Sequence, residues 1–237
     1  MKNKYLPLFA VAAVGLACAT NSFAALTVTL TQNTSAYSGA NGGGEFKAVT
    51  SGNGTFQTFC IDVGHEFHPG TTYNYTLSQQ TFVGSGNNIS IGTAWLYSQF
   101  LNGTLSGYNY TDGSANTSSA TKLQSVFWGL ENSSYGSSLS YFNNSNPFYS
   151  AVVTEFGSLA AAEADAGANN IYGVEVMNLY SGNDPSKNLA QSQLVRVPLP
   201  PTASVPEPST IVAGALLLLP LSISAVKILR RKQATLN

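Results

Sequence analysis

Apolar and polar residues alternate along Leu26-Thr27-Val28-Thr29-Leu30-Thr31, which predicts a strand with one face buried. After a glycine-rich turn at 39–44, the segments Glu45–Thr50 and Thr55–Val63 flank Ser51-Gly52-Asn53-Gly54 and predict a hairpin. Tyr73, Tyr75 and Leu77 alternate with Asn74, Thr76 and Ser78, which makes another strand. The period then changes. Leu123, Val126, Phe127 and Leu130 fall at i, i+3, i+4 and i+7, a helical stripe. Phe148, Val152, Phe156 and Leu159 repeat it, with Asn146 as the cap and Pro147 at the first helical position. Ile91–Leu101, which contains Trp95, makes a weaker helix, and strand signals return at Ile171–Tyr180 and Leu189–Val197. Strands, then helices, then strands predict an α+β domain over 25–197. It would be a β-sheet or β-sandwich with a helical insertion between about 88 and 168.

The two ends are a different kind of sequence. In residues 1–24, Lys2 and Lys4 precede an apolar run, and Ser22 and Ala24 are small residues suited to cleavage before Ala25. That is a secretory signal peptide. A lipoprotein signal ending at Cys18 would want a branched aliphatic where Gly15 stands, so Cys18 is expected to leave with the peptide. Residues 198–210 are crowded with proline and predict an extended linker. The apolar run Ile211–Val226 becomes long enough to span a membrane if it extends through Ile228 and Leu229 with Lys227 snorkelling. The basic cluster Arg230-Arg231-Lys232 after it would stay inside, leaving the domain outside.

Charge adds to this picture. Charged residues are 9% of the chain, so its surface is built from hydroxyls and amides. Six of the ten basic residues lie in the two ends, and between Ala25 and Pro198 four basic residues meet ten acidic ones. A nucleic-acid partner is therefore not expected.

Nucleotide and hydrolase motifs are absent: there is no Walker loop, no dinucleotide fingerprint, no GxSxG and no HExxH. One polar cluster runs from Cys60 to His68. As a metal site it would offer Cys60, Asp62, His65 and His68, but no second cysteine pair completes a structural zinc, and neither metal nor cofactor is expected. As a cysteine–histidine hydrolase it would have to join Cys60 to His65 only five residues on, a poor geometry, so no enzyme activity is expected. After signal cleavage Cys60 is the single cysteine of an exported chain, without a disulfide partner. It could be a core thiol between Phe59 and Ile61. Strand alternation instead turns Cys60 to the opposite side, with Thr58 and Asp62, where the helical insertion could cover it.

Two resemblances carry these observations further. Val205-Pro206-Glu207-Pro208-Ser209, the apolar helix and the basic tail together resemble the PEP-CTERM sorting signal. That resemblance implies a Gram-negative, typically exopolysaccharide-producing bacterium. An exosortase and the secretion machinery would be partners, with a membrane-anchored precursor and a product at the cell surface or in the extracellular matrix.

The domain itself resembles the thioester domain of bacterial surface adhesins. The resemblance rests on Phe59-Cys60-Ile61-Asp62, Gly64, Gly70-Thr71-Thr72-Tyr73 and Leu123-Gln124-Ser125-Val126-Phe127-Trp128. That family joins a β-sandwich to a helical subdomain and links a Cys and a Gln side chain in a thioester. Here the resemblance implies a Cys60–Gln124 cross-link shielded by Trp128 and supported by Asp62. Leu123, Val126 and Phe127 depart from the family's usual Thr, Ala and Ile. On a helix Gln124, Trp128 and Glu131 share a face, and the indole leans back over Gln124. The plainer alternative makes Trp128 core and Gln124 a surface amide. The function expected is adhesion to an amine-bearing target through the thioester, or a non-reactive matrix or glycan-binding module. Thiol titration is expected to separate the two.

Overall fold

A computed structural model describes residues 25–32, 43–82, 88–167 and 171–198. The signal peptide, the Pro206-Glu207-Pro208 motif and the C-terminal apolar run lie outside the described residues. The domain is α+β. Its strands are β1 (Thr27–Gln32), β2 (Phe46–Thr50), β3 (Thr55–Thr58), β4 (Thr72–Ser78), β5 (Val174–Tyr180) and β6 (Leu189–Arg196). Between β4 and β5 come α1 (Ile91–Leu101), α2 (Ser114–Glu131), α3 (Ser133–Gly136), α4 (Pro147–Phe156) and α5 (Leu159–Ala162), so the helical insertion lies where the sequence pattern puts it.

The strands form one antiparallel sheet in the order β3-β2-β1-β4-β5-β6, which replaces the sandwich alternative. The sheet also curls until its two edges meet. Just beyond β3, Cys60 bridges Gln193 of β6, with Leu194 N–H donating to Phe59 O at 3.0 Å and Ile61 N–H to Ser192 O at 3.1 Å. Closure satisfies edge groups that would otherwise be open to a foreign strand. It also lets one sheet enclose a core: Val28, Leu30, Ala48, Tyr73, Tyr75, Met177, Leu179, Ala190 and Val195 cluster on one face. On the other face Phe59, Ile61, Val174, Val176 and Leu194 pack against the helices, which contribute Leu96, Tyr97, Leu123, Phe127, Phe148 and Val152. β5 is buried on both faces.

Three boundaries differ from the periodicity; the strand expected over Thr55–Val63 ends at Thr58, with Cys60 beyond it in an isolated bridge. The stripe Phe148–Leu159 is split, because Gly157 adopts a left-handed conformation (φ 78°) and ends α4, and Leu159 opens α5. β5 begins at Val174, since Ile171 is exposed to solvent. The Asn146 cap holds as expected, accepting from Phe148 N–H at 3.0 Å ahead of Pro147.

Glu131, at the end of α2, serves the start of α1. It accepts from Ser90 N–H at 3.1 Å and Ser90 O–H at 3.0 Å. Loss of water raises its carboxyl above the ordinary carboxylate range, while hydrogen bonds from Thr93 and Ser90 pull it partly back. A raised native pKa stabilises the fold in acid, and that contribution is lost as pH rises above the ordinary carboxylate range. Glu131→Gln is thus expected to gain stability relative to wild type between pH 4 and pH 8, read from thermal melts at both. A difference that does not change with pH would place the carboxyl in water.

Candidate functional site

Cys60 sits where the sheet closes, fully buried, with its backbone held by β6. Phe59 and Ile61 enter the helix-side core, and Cys60 faces the other way into a small cluster with Phe46 and Trp128. Its thiol donates to Gln191 Oε1 at 2.9 Å and accepts from Gln193 Nε2 at 3.2 Å. Gln191 and Gln193, two residues apart on β6, reach one sulfur beside a register shift. Met177 pairs with Gln193 but Leu179 with Ala190, so β6 carries one extra residue there. Such a bulge re-aims side chains.

Gln124 comes from the middle of α2 and is fully buried, not a surface amide. Its oxygen accepts from two main-chain donors, Cys60 N–H and Gly44 N–H, each at 3.2 Å. Its Nε2 donates to Cys60 O at 2.6 Å. The side-chain amide is thus paired with the main chain of Cys60 as one strand is with another. Two N–H groups converging on one carbonyl oxygen also make the donor arrangement that stabilises an oxyanion.

Trp128, one turn on, covers this pair and is 3% exposed. Gly43 lies against the indole. A Cβ there would stand 2.5 Å from Trp128 Cη2 and 2.9 Å from Gln124 Cγ, so the close approach requires glycine. Tyr135 meets the indole edge-on at 6.1 Å. Neighbouring Glu45 anchors this stretch to the helices, accepting from Tyr108 O–H at 2.6 Å and Asn116 Nδ2 at 3.2 Å.

Asp62 builds the following loop. Its Oδ1 accepts from Gly64 N–H at 2.7 Å, and its Oδ2 lies 3.0 Å from His65 Nδ1. The His65 ring is therefore engaged with Asp62, whereas the sulfur is engaged with glutamines. His68 takes part through its main-chain N–H, donating to Tyr73 O–H at 2.9 Å. Among the described residues no three His, Cys, Asp or Glu side chains converge as metal ligands.

Burial pushes the Cys60 thiol up to about 12; the Gln193 hydrogen bond lowers it and the Asp62 charge raises it further. This revises the thiol-titration expectation. A free thiol this deeply buried is slow to titrate at neutral pH, as a cross-linked sulfur is, so slow titration in the native state is no sign of a thioester.

Gly44, Gln191 and Gln193 are the residues that sequence reasoning missed. One signal was present: in Leu189–Val197, two glutamines share a strand face with Val195, which points to the inner core. Comparison with family models, curated proteins and solved structures finds no match to the chain.

Proposed function

We propose that this is an exported cell-surface or matrix protein, sorted by an exosortase through Pro206-Glu207-Pro208 and the apolar helix after it. In this reading it captures amines on a target, with matrix polysaccharide as its surroundings, through a Cys60–Gln124 thioester. The observation that carries this reading is the burial of Cys60 and Gln124 against each other under Trp128, with two main-chain N–H groups on the Gln124 carbonyl oxygen. In forming the bond, Sγ attacks Gln124 Cδ, the C–N bond breaks, and ammonia leaves carrying the thiol proton. An ordinary amide in water resists this step. Effective molarities of about 10⁵–10⁸ M for well-held groups make it accessible, and exclusion of water preserves the product. Opening by a primary amine forms an amide at position 124 and returns the proton to sulfur.

A second reading, a non-reactive matrix or glycan-binding module, is favoured by one observation. The Gln124 amide makes three hydrogen bonds to main chain without any help from the sulfur.

Intact mass of the mature protein purified from the cell surface separates the two. The thioester reading expects a chain starting at Ala25, ending near the proline-rich linker and lacking one ammonia. Methylamine should add its own mass to that chain, leaving Gln124 with an N-methyl group, in wild type but not in Cys60→Ala. Full sequence mass with an unmodified Gln124 leaves the non-reactive module. A mature chain that keeps its basic tail rejects the sorting.

A further inference from the structure

The Gln193 side chain is fully buried, yet its Oε1 has no hydrogen-bond partner among the described residues. Its Nε2 lies 3.2 Å from Cys60 Sγ and 3.3 Å from Gln191 O. These contacts fix the amide's orientation, because a flip would set its oxygen against the Gln191 carbonyl. Gln191 is fixed likewise, its Nε2 donating to Asp62 O at 2.7 Å while its Oε1 takes the thiol proton. The sulfur thus has one neighbour that accepts its proton and another that donates to its lone pair. An unpartnered buried carbonyl is costly in a plain core, and here it belongs to an amide that already touches the reactive atom.

We propose that Gln193 is a catalytic residue of thioester exchange, Nε2–H stabilising the sulfur as it departs and Oε1 receiving an N–H of the incoming amine. The role rests on the thioester reading above. In the opening step the amine nitrogen bonds to Gln124 Cδ, and the oxyanion develops on the Oε1 held by Gly44 and Cys60 N–H. The C–S bond then breaks, and the electron pair moves to Sγ. An N–H proton of the attacking amine reaches sulfur and regenerates the thiol. A buried thiolate is a poor leaving group, and a donor directed at it lowers that barrier. In the closing step the same donor steadies the sulfur as the thiol proton passes to ammonia.

The test compares methylamine opening of the mature protein, followed by intact mass, in wild type, Gln193→Met and Gln193→Glu. Gln193→Met keeps the length of the side chain and loses both polar ends; Gln193→Glu keeps an acceptor and loses the donor. Each is expected to open roughly 10²-fold more slowly, the scale of losing one donor at a reacting atom. The direction separates chemistry from packing. If Gln193 only filled space, its loss would loosen the site, admit water and leave opening unchanged or faster, and either result overturns the role. Should Gln193→Met fail to fold, the Gln193→Glu rate decides. A wild-type protein at full sequence mass removes the thioester and this role with it. A wild-type protein lacking ammonia, with variants that open at its own rate, removes the role alone.

Discussion

Gln124→Ala is expected to lower stability by roughly 3–6 kcal/mol relative to the chain with a free Gln124 amide. The change strands Cys60 N–H, Gly44 N–H and Cys60 O, all now satisfied by one side chain. A buried polar group left without a partner costs about 1–3 kcal/mol, and some of that is recovered if water enters the space. In a domain of this size the melting temperature should fall by roughly 10 °C or more. Gln124→Glu isolates the cause. Its carboxyl can still accept from both N–H groups, but when ionised it sets an oxygen against Cys60 O in place of the donor. Burial and that carbonyl both favour the protonated form, so the variant's carboxyl should stabilise the fold in acid and lose that contribution as pH rises above the carboxylate range. Urea titrations at pH 4.5 and pH 7.5 measure both effects. A Gln124→Ala midpoint equal to that of wild type would mean that these main-chain groups do not depend on Gln124. The prediction also has a practical consequence: Cys60→Ala is the cleaner control for the cross-link, because it leaves the Gln124 amide paired.

Trp128→Ala is expected to cost roughly 3–5 kcal/mol, the range for removing a large aromatic side chain from a core. The indole fills the space bounded by Phe46, Cys60, Gly43 and Tyr135. Its Nε1 has no hydrogen-bond partner among the described residues, so the loss is one of packing. Trp128→Phe should therefore cost much less than Trp128→Ala, since it keeps a ring and removes an unpaired donor. If the thioester is present, Trp128→Ala should also hydrolyse faster as water gains access, visible as the gain of one water, which leaves Glu at position 124. Thermal melts compare the variants directly, and an unchanged Trp128→Ala melting temperature would remove the indole from the core and the shield from the site.

What the sequence by itself determined is what depends on near neighbours. The change of period from two to 3.6 and back placed helices between two sets of strands. Asn146-Pro147 marked a helix start because capping is settled within one turn. Alternation put Cys60 opposite Phe59 and Ile61, and helical geometry put Trp128 beside Gln124, since both follow from fixed residue spacing. Glu131 shows where that reasoning stops. It shares a helical face with Gln124, but at the end of α2 its partner comes from the start of α1, which no spacing along one helix records.

Only the tertiary structure decided how one sheet closes on itself instead of forming two. That turns on the Cys60–Gln193 bridge, formed 133 residues apart, and on a bulge in β6. It also decided that Gln124 grips the main chain of Cys60, that Gln191 and Gln193 hold the sulfur, and that Gly43 must lack a side chain. These are contacts between segments whose local patterns are complete without one another. Their pairing follows from packing and from the need to satisfy buried polar groups, and neither requirement leaves a period in the chain.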